Sequence, residues 1–272
     1  PLNITFAPSD ADALKSATGR VVVTMGAGGK LPPLARRADK LSKSALTRLS
    51  KAKRWEELPE GGAITLEYPV GFAADALIVV KLDTRASAEL ARKAGATVAT
   101  LRGKGDLLLG LGALRKAADF TYGLALRAYQ FVDHKTSDVE APTKVVALVN
   151  KPEKISREAG PMAAVAEGVF FTRDLINEPA NVLTTDDFAA RLAAMGELGL
   201  DVEILEEDDL AKLGMRTLLA VGHGSDMPSK VVVMKWNGKE ERYLVENYST
   251  RMPLEDISKK LGRTIRSIQR KA

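Results

Sequence analysis

The sequence predicts an α/β fold. Residues 1–150 read as one α/β domain with a mixed central sheet, 151–238 as a partial second α/β segment, and 239–272 as a short all-helical tail. Three observations carry this. Runs rich in β-branched residues alternate with Ala/Leu-rich segments of helical length, the pattern of a sheet layered with helices. The polar stretch Asn150-Lys151-Pro152-Glu153-Lys154 interrupts the alternation and marks a boundary. Beyond Glu241 the apolar spacing turns helical while the charge turns basic.

Each element follows from its own residues. Val21-Val22-Val23-Thr24-Met25 is a strand closed by the loop Gly26-Ala27-Gly28-Gly29. Residues 76–80 and 144–149 are further strands, and 86–101 and 113–131 have the length and composition of helices. A long helix is expected from Ile155 to Glu178, ending before Pro179, since proline disfavours continuation of a helix. Thr184 or Thr185 can cap a helix running to about Gly196. Residues 201–205 form a strand, 206–213 a short helix and 230–236 a strand closed by the turn Asn237-Gly238.

Composition narrows the function classes. Hydrophobic content of 45% with 28% charged residues is that of a globular chain, and 5% aromatic content leaves a core of Ala, Val and Leu. No apolar run approaches the roughly 20 residues that span a bilayer, and Pro1 to Phe6 carries no signal-peptide pattern. Zero cysteines exclude disulfides and thiolate metal sites, so a cytoplasmic location is expected. The net charge of +5 lies entirely in residues 251–272, where seven basic residues meet Glu255 and Asp256. A second basic stretch runs from Arg36 to Arg54. Such concentrations favour polyanionic partners, although each alone also fits a solvated helix face.

Candidate chemical motifs mostly resolve into structure. Asp186-Asp187 and Glu206-Glu207-Asp208-Asp209 sit at expected helix starts, where acidic side chains complement the helix dipole. Adjacent helical residues diverge, so these clusters make poor chelators. His134 and His223 each stand alone in sequence, and Ser42-Lys43-Ser44 reads as helix surface. Gly26-Ala27-Gly28-Gly29-Lys30 follows a strand, but Leu31 replaces the third glycine of a dinucleotide loop and no Gly-Lys-Ser/Thr ending makes a P-loop. A tight turn is the better reading.

Phe171-Thr172-Arg173-Asp174-Leu175-Ile176-Asn177-Glu178-Pro179-Ala180-Asn181-Val182-Leu183-Thr184 resembles the lead-in to the catalytic domain of the leucyl (cytosol) aminopeptidase family. The resemblance covers roughly residues 1–238. It includes Gly123 to Phe131, similar to the helix before the family's interdomain link, then Leu213-Gly214-Met215, and Ala220 to Ser225, similar to its "avGqGS" turn. It implies a macro-domain-like N-terminal domain. It also implies a peptidase that uses two divalent metals, such as Zn or Mn, to polarise the scissile carbonyl and supply hydroxide. The ligand motifs, like "GKGVTFDSGG" and "NTDAEGR", do not occur in these 272 residues. No catalytic or metal-binding residue is therefore carried over, and no cofactor is expected.

The tail carries a different pattern. Leu254, Ile257 and Leu261 make one apolar stripe after Pro253, Gly262 supplies a turn, and Thr264 can cap a last helix with Ile265 and Ile268 inward. Residues 254–272 resemble the "eIAkkLgRt..aVr.ka" pattern of Myb-like and homeodomain-like helix-turn-helix domains. The resemblance implies DNA contacts from Arg263, Thr264, Arg266, Ser267, Gln269, Arg270 and Lys271. The alternative is a helical appendage that packs on the body or binds protein. The sequence thus favours a non-catalytic, aminopeptidase-like, DNA-binding chain, with no membrane partner and a homo-oligomer as a further expectation. Its rivals are a truncated or rearranged aminopeptidase without a working site, and a protein-binding scaffold.

Overall fold

The structure, a computed structural model, describes residues 2–136 and 143–236. The described chain forms two compact units, the first running to Ile176 and the second starting at Asn177. The helix-turn-helix pattern, with the seven DNA-contacting residues expected in it, and the turn at Asn237-Gly238 lie outside the described residues.

The first unit alternates strand and helix as its sequence requires. Strand β1 (Leu2–Pro8) and helix α1 (Ala13–Ser16) lead to β2 (Arg20–Met25). Three short helices follow, α2 (Pro33–Leu41), α3 (Ala45–Leu49) and α4 (Lys53–Glu56), then β3 (Ala63–Glu67) and β4 (Ala76–Lys81). Helices α5 (Ala88–Leu101), α6 (Ala117–Arg127) and α7 (Pro152–Asn177) are interleaved with β5 (Leu107–Gly112) and β6 (Thr143–Val149). The six strands are ordered β1-β6-β5-β2-β4-β3, all neighbours parallel except the β3–β4 pair. The sheet is therefore mixed, as expected.

Two cores cover the two faces. Val22, Ile78 and Leu109 pack with Ala94, Val98, Phe120 and Leu124 of α5 and α6 on one side. Val21, Val23 and Leu77 pack with Leu34, Leu46 and Trp55 of α2–α4 on the other. Alternate residues of β2 thus serve opposite cores, and the strand is buried on both faces. Ile155 joins the first core, with Met162 packed against it, so by packing α7 starts within the first unit although its sequence follows the polar link.

Helices α5 and α6 meet through glycine. A Cβ on Gly95 would stand 1.9 Å from the Phe120 carbonyl oxygen, and one on Gly123 would stand 2.0 Å from that of Arg92. The two backbones are in direct contact there. At the rim, Arg92 reaches the buried Asp119 at 2.8 Å.

The Ser42-Lys43-Ser44 expectation is corrected. Ser42 is buried and donates to the Ala38 carbonyl at 2.8 Å, while Lys43 and Ser44 take φ of 50° and 60°. The segment is the corner between α2 and α3, not a helix surface. Asp39 holds it, accepting from the Thr47 amide at 2.9 Å and the Thr47 hydroxyl at 2.6 Å. The glycine loop is the tight turn expected: the Gly29 amide donates to Gly26 O at 2.9 Å, and Gly29 has φ 76°.

The second unit is smaller. Helix α8 (Thr185–Ala193) runs into a 3-10 turn (Ala194–Leu198), followed by β7 (Asp201–Leu205), α9 (Glu207–Lys212), α10 (Arg216–Gly222) and β8 (Val231–Lys235). Its sheet is the antiparallel pair β7–β8.

Candidate functional site

The stretch that resembles an aminopeptidase falls on the end of α7 and the start of the second unit. In the first unit its residues close on Tyr129. The phenol donates to Asp174 at 2.6 Å, the ring stacks on Phe170 at 5.5 Å between centroids, and the Arg173 guanidinium lies 3.9 Å over it. Arg173 also donates to the Leu126 carbonyl at 3.2 Å. This cluster clamps the end of α6 to α7, and the Asp174 carboxylate, which faces a shallow cleft beside Tyr129, is held by the phenol.

In the second unit, Pro179 turns the chain, its carbonyl accepting from the Val182 and Leu183 amides at 2.9 Å each. The Thr184 hydroxyl then caps α8, accepting from the Asp187 amide at 3.2 Å. Arg191 lies 2.8 Å from Asp187 and 3.4 Å from Glu178, whose side chain is only 5% exposed. Both acidic clusters stand where the sequence put them, in the first turns of α8 and α9.

One cation that sequence reasoning missed joins them. Lys230, just before β8, sits 2.9 Å from Asp186 and 2.5 Å from Glu206, and the adjoining Ser229 amide donates to Glu207 at 2.8 Å. The hydrogen bond to Glu206, then that to Asp186, raises the Lys230 pKa above its usual 10.5 against a smaller opposing effect of burial. Its partners lie 24 and 44 positions upstream, so no local pattern could have signalled them. The sign of the pH dependence follows: the contribution is full below pH 10.5 and is lost as pH rises through the higher folded value. Lys230→Met should speed amide exchange in α8 and α9 at neutral pH, and the difference from the parent chain should vanish in strong alkali. A difference that persists there would assign the effect to packing.

A dimetal centre does not fit these residues. Among the described residues, no three His, Asp or Glu side chains come together as a metal would need, and Asp186 and Glu206 are already bound to Lys230. The His134 ring lies tilted against Phe131, 5.6 Å between centroids, and His223 closes α10.

Comparison with known proteins gives this arrangement its context. Residues 170–245 match the cytosol aminopeptidase family, catalytic domain. Curated cytosol aminopeptidases extend the likeness over the first unit. A probable cytosol aminopeptidase of Cereibacter sphaeroides is 51% identical over 241 residues, covering 89% of this chain and 49% of the relative. One of Dinoroseobacter shibae is 46% identical over 86% of this chain and 48% of the relative. The chain therefore spans about half the length of the cytosol aminopeptidases it matches. A tomato leucine aminopeptidase mutant superposes with a TM-score of 0.66 at 15% identity, over 86% of this chain and 50% of that one. The bottromycin maturation enzyme BotP gives 0.58 at 24%, over 81% and 46%. At these identities the two structures speak for the fold alone. No helix among the described residues is long and apolar enough to cross a membrane.

Proposed function

We propose that this chain is the non-catalytic share of a cytosol-aminopeptidase-type metallopeptidase. It supplies the N-terminal α/β domain and the opening of the catalytic domain, and the metal ligands come from sequence outside these 272 residues. The likeness to half of each cytosol aminopeptidase, with the ligand motifs missing from this half, carries the reading.

The second unit supports it. Leu198, Leu213 and Val221 are 71%, 63% and 83% exposed, and Trp236 stands open beside β8. That much apolar surface on so small a unit fits a body built to be covered by more protein.

The purified chain, given Mn²⁺ or Zn²⁺, is expected to leave Leu-p-nitroanilide intact above a metal-only control. Hydroxide generation and carbonyl polarisation both depend on ligands it does not carry. Chelator-sensitive turnover that co-purifies with the chain would overturn this.

A second reading rests on the tail. The net +5 of residues 251–272 and the Leu254/Ile257/Leu261 stripe favour DNA contact through Arg263 to Lys271. The exposed cations Arg36 and Lys40 of α2, Lys43 of the α2–α3 corner and Arg48 of α3 supply a second phosphate contact. Fluorescence anisotropy with duplex DNA should show binding that weakens steeply with salt and is lost when the chain ends at Gly238. Arg266→Ala or Arg270→Ala should cost about 1–3 kcal/mol where base contacts are lost. Equal binding by the shortened chain would remove the tail from the mechanism.

A further inference from the structure

A cleft in the first unit is independent of the peptidase reading. It opens at the carboxyl ends of the neighbouring parallel strands β5 and β6, where ligands of open α/β sheets bind. Its volume is about 720 Å³, within the range of small-molecule sites. The mouth is preformed. Strand β5 shifts register between Gly110 and Gly112, the Asn150 amide donates to Gly112 O at 3.0 Å, and the Arg115 amide donates to Thr84 O at 3.0 Å.

The charge in the cleft is uncompensated. Arg115, Lys116, Lys151 and Lys154 line it. The first three make no side-chain hydrogen bond or ion pair with any described residue, and Lys154 only a loose 3.6 Å pair with Glu158. The one buried acid on the wall, Asp119, is neutralised by Arg92 from outside the cleft. Leu114 and Met162 give the floor an apolar side. Three unpaired cations over a half-apolar hollow match a compact polyanion with an organic body, since charge-assisted bonds to phosphate oxygens are the strong ones.

We propose that this cleft binds a phosphorylated small molecule, with Arg115 and Lys151 as the principal phosphate contacts. Inorganic pyrophosphate is the probe, titrated calorimetrically into the full chain at physiological ionic strength. Saturable one-to-one binding is expected. Arg115→Gln/Lys151→Gln should weaken it at least about tenfold, the loss of one strong contact. Both residues are exposed, so the double variant keeps its fold and its melting temperature without ligand. Lys15→Gln/Lys93→Gln, which removes equal charge from exposed positions outside the cleft, should bind pyrophosphate as the parent does. No saturable binding, undiminished binding by the first variant, or equal weakening in both would overturn the proposal.

Discussion

Gly95→Ala and Gly123→Ala are each expected to destabilise the first unit by more than about 2 kcal/mol. Two effects oppose one another. Alanine in a helix interior gains up to about 1 kcal/mol over glycine. Against this, overpacking a core costs about 1–3 kcal/mol even when flexible side chains can yield. Here the obstacles are the backbone carbonyls of Phe120 and Arg92, at 1.9 and 2.0 Å from the added carbon, and a backbone cannot rotate aside. The helices must separate, which opens the core formed by Ala94, Val98, Phe120 and Leu124. Gly168 in α7 supplies the contrast, because an added Cβ there meets nothing within 4 Å. Gly168→Ala should therefore be neutral or stabilising by up to about 1 kcal/mol. Urea midpoints for the three variants test this. A midpoint for Gly95→Ala or Gly123→Ala at or above that of the parent chain would show that the α5–α6 contact is looser than described.

Lys81→Met is expected to cost about 3 kcal/mol. The Lys81 ammonium is buried at the end of β4 and donates to three main-chain carbonyls: Trp55 at 2.9 Å, Glu56 at 3.1 Å and Leu58 at 2.7 Å. It also lies 5.7 Å from the centre of the Trp55 ring. Helix α4 is one turn long, so no further helical turn follows to satisfy its end carbonyls, although Trp55 O also accepts from the Leu58 amide at 3.3 Å. Methionine fills the volume but removes the donor shared by all three carbonyls, at about 1–3 kcal/mol for each acceptor left unpaired where water cannot reach. Two of the three bonds are only part-buried, which holds the total near the stated figure. The loss should be local first, with amide exchange accelerating over residues 53–67. Uniform acceleration across the sheet instead would mean that Lys81 serves the whole core.

The interior of this fold was legible in the sequence and its periphery was not. Strands β2, β4 and β6 carry apolar runs rich in β-branched residues because β2 and β4 are buried on both faces and β6 is mostly buried. Edge strands β1 and β3 alternate too weakly to stand out, and β5 is diluted by Gly110 and Gly112. Helices α2–α4 are four to nine residues long, too short to show a period, and were visible only as basic charge. At the candidate site the acidic helix starts and the Thr184 cap are local and could be read directly. The Lys230 bridge and the Tyr129 clamp join residues 24 or more positions apart, and such pairings are set by the fold rather than by any neighbouring pattern.

Strand order also sets a timetable. Among the described residues the first strand of the sheet, β1, pairs only with β6, and Leu2 aligns with Thr143. At about 5–20 residues per second, a ribosome needs roughly 7–30 s to make the chain between them. During that interval Leu2 to Pro8, a segment with no charged residue, has no place in the sheet. The strand is then an open template for other strands, of the kind that chaperones shield. A nascent chain arrested just before Thr143 should hold chaperones longer than one released past Val149.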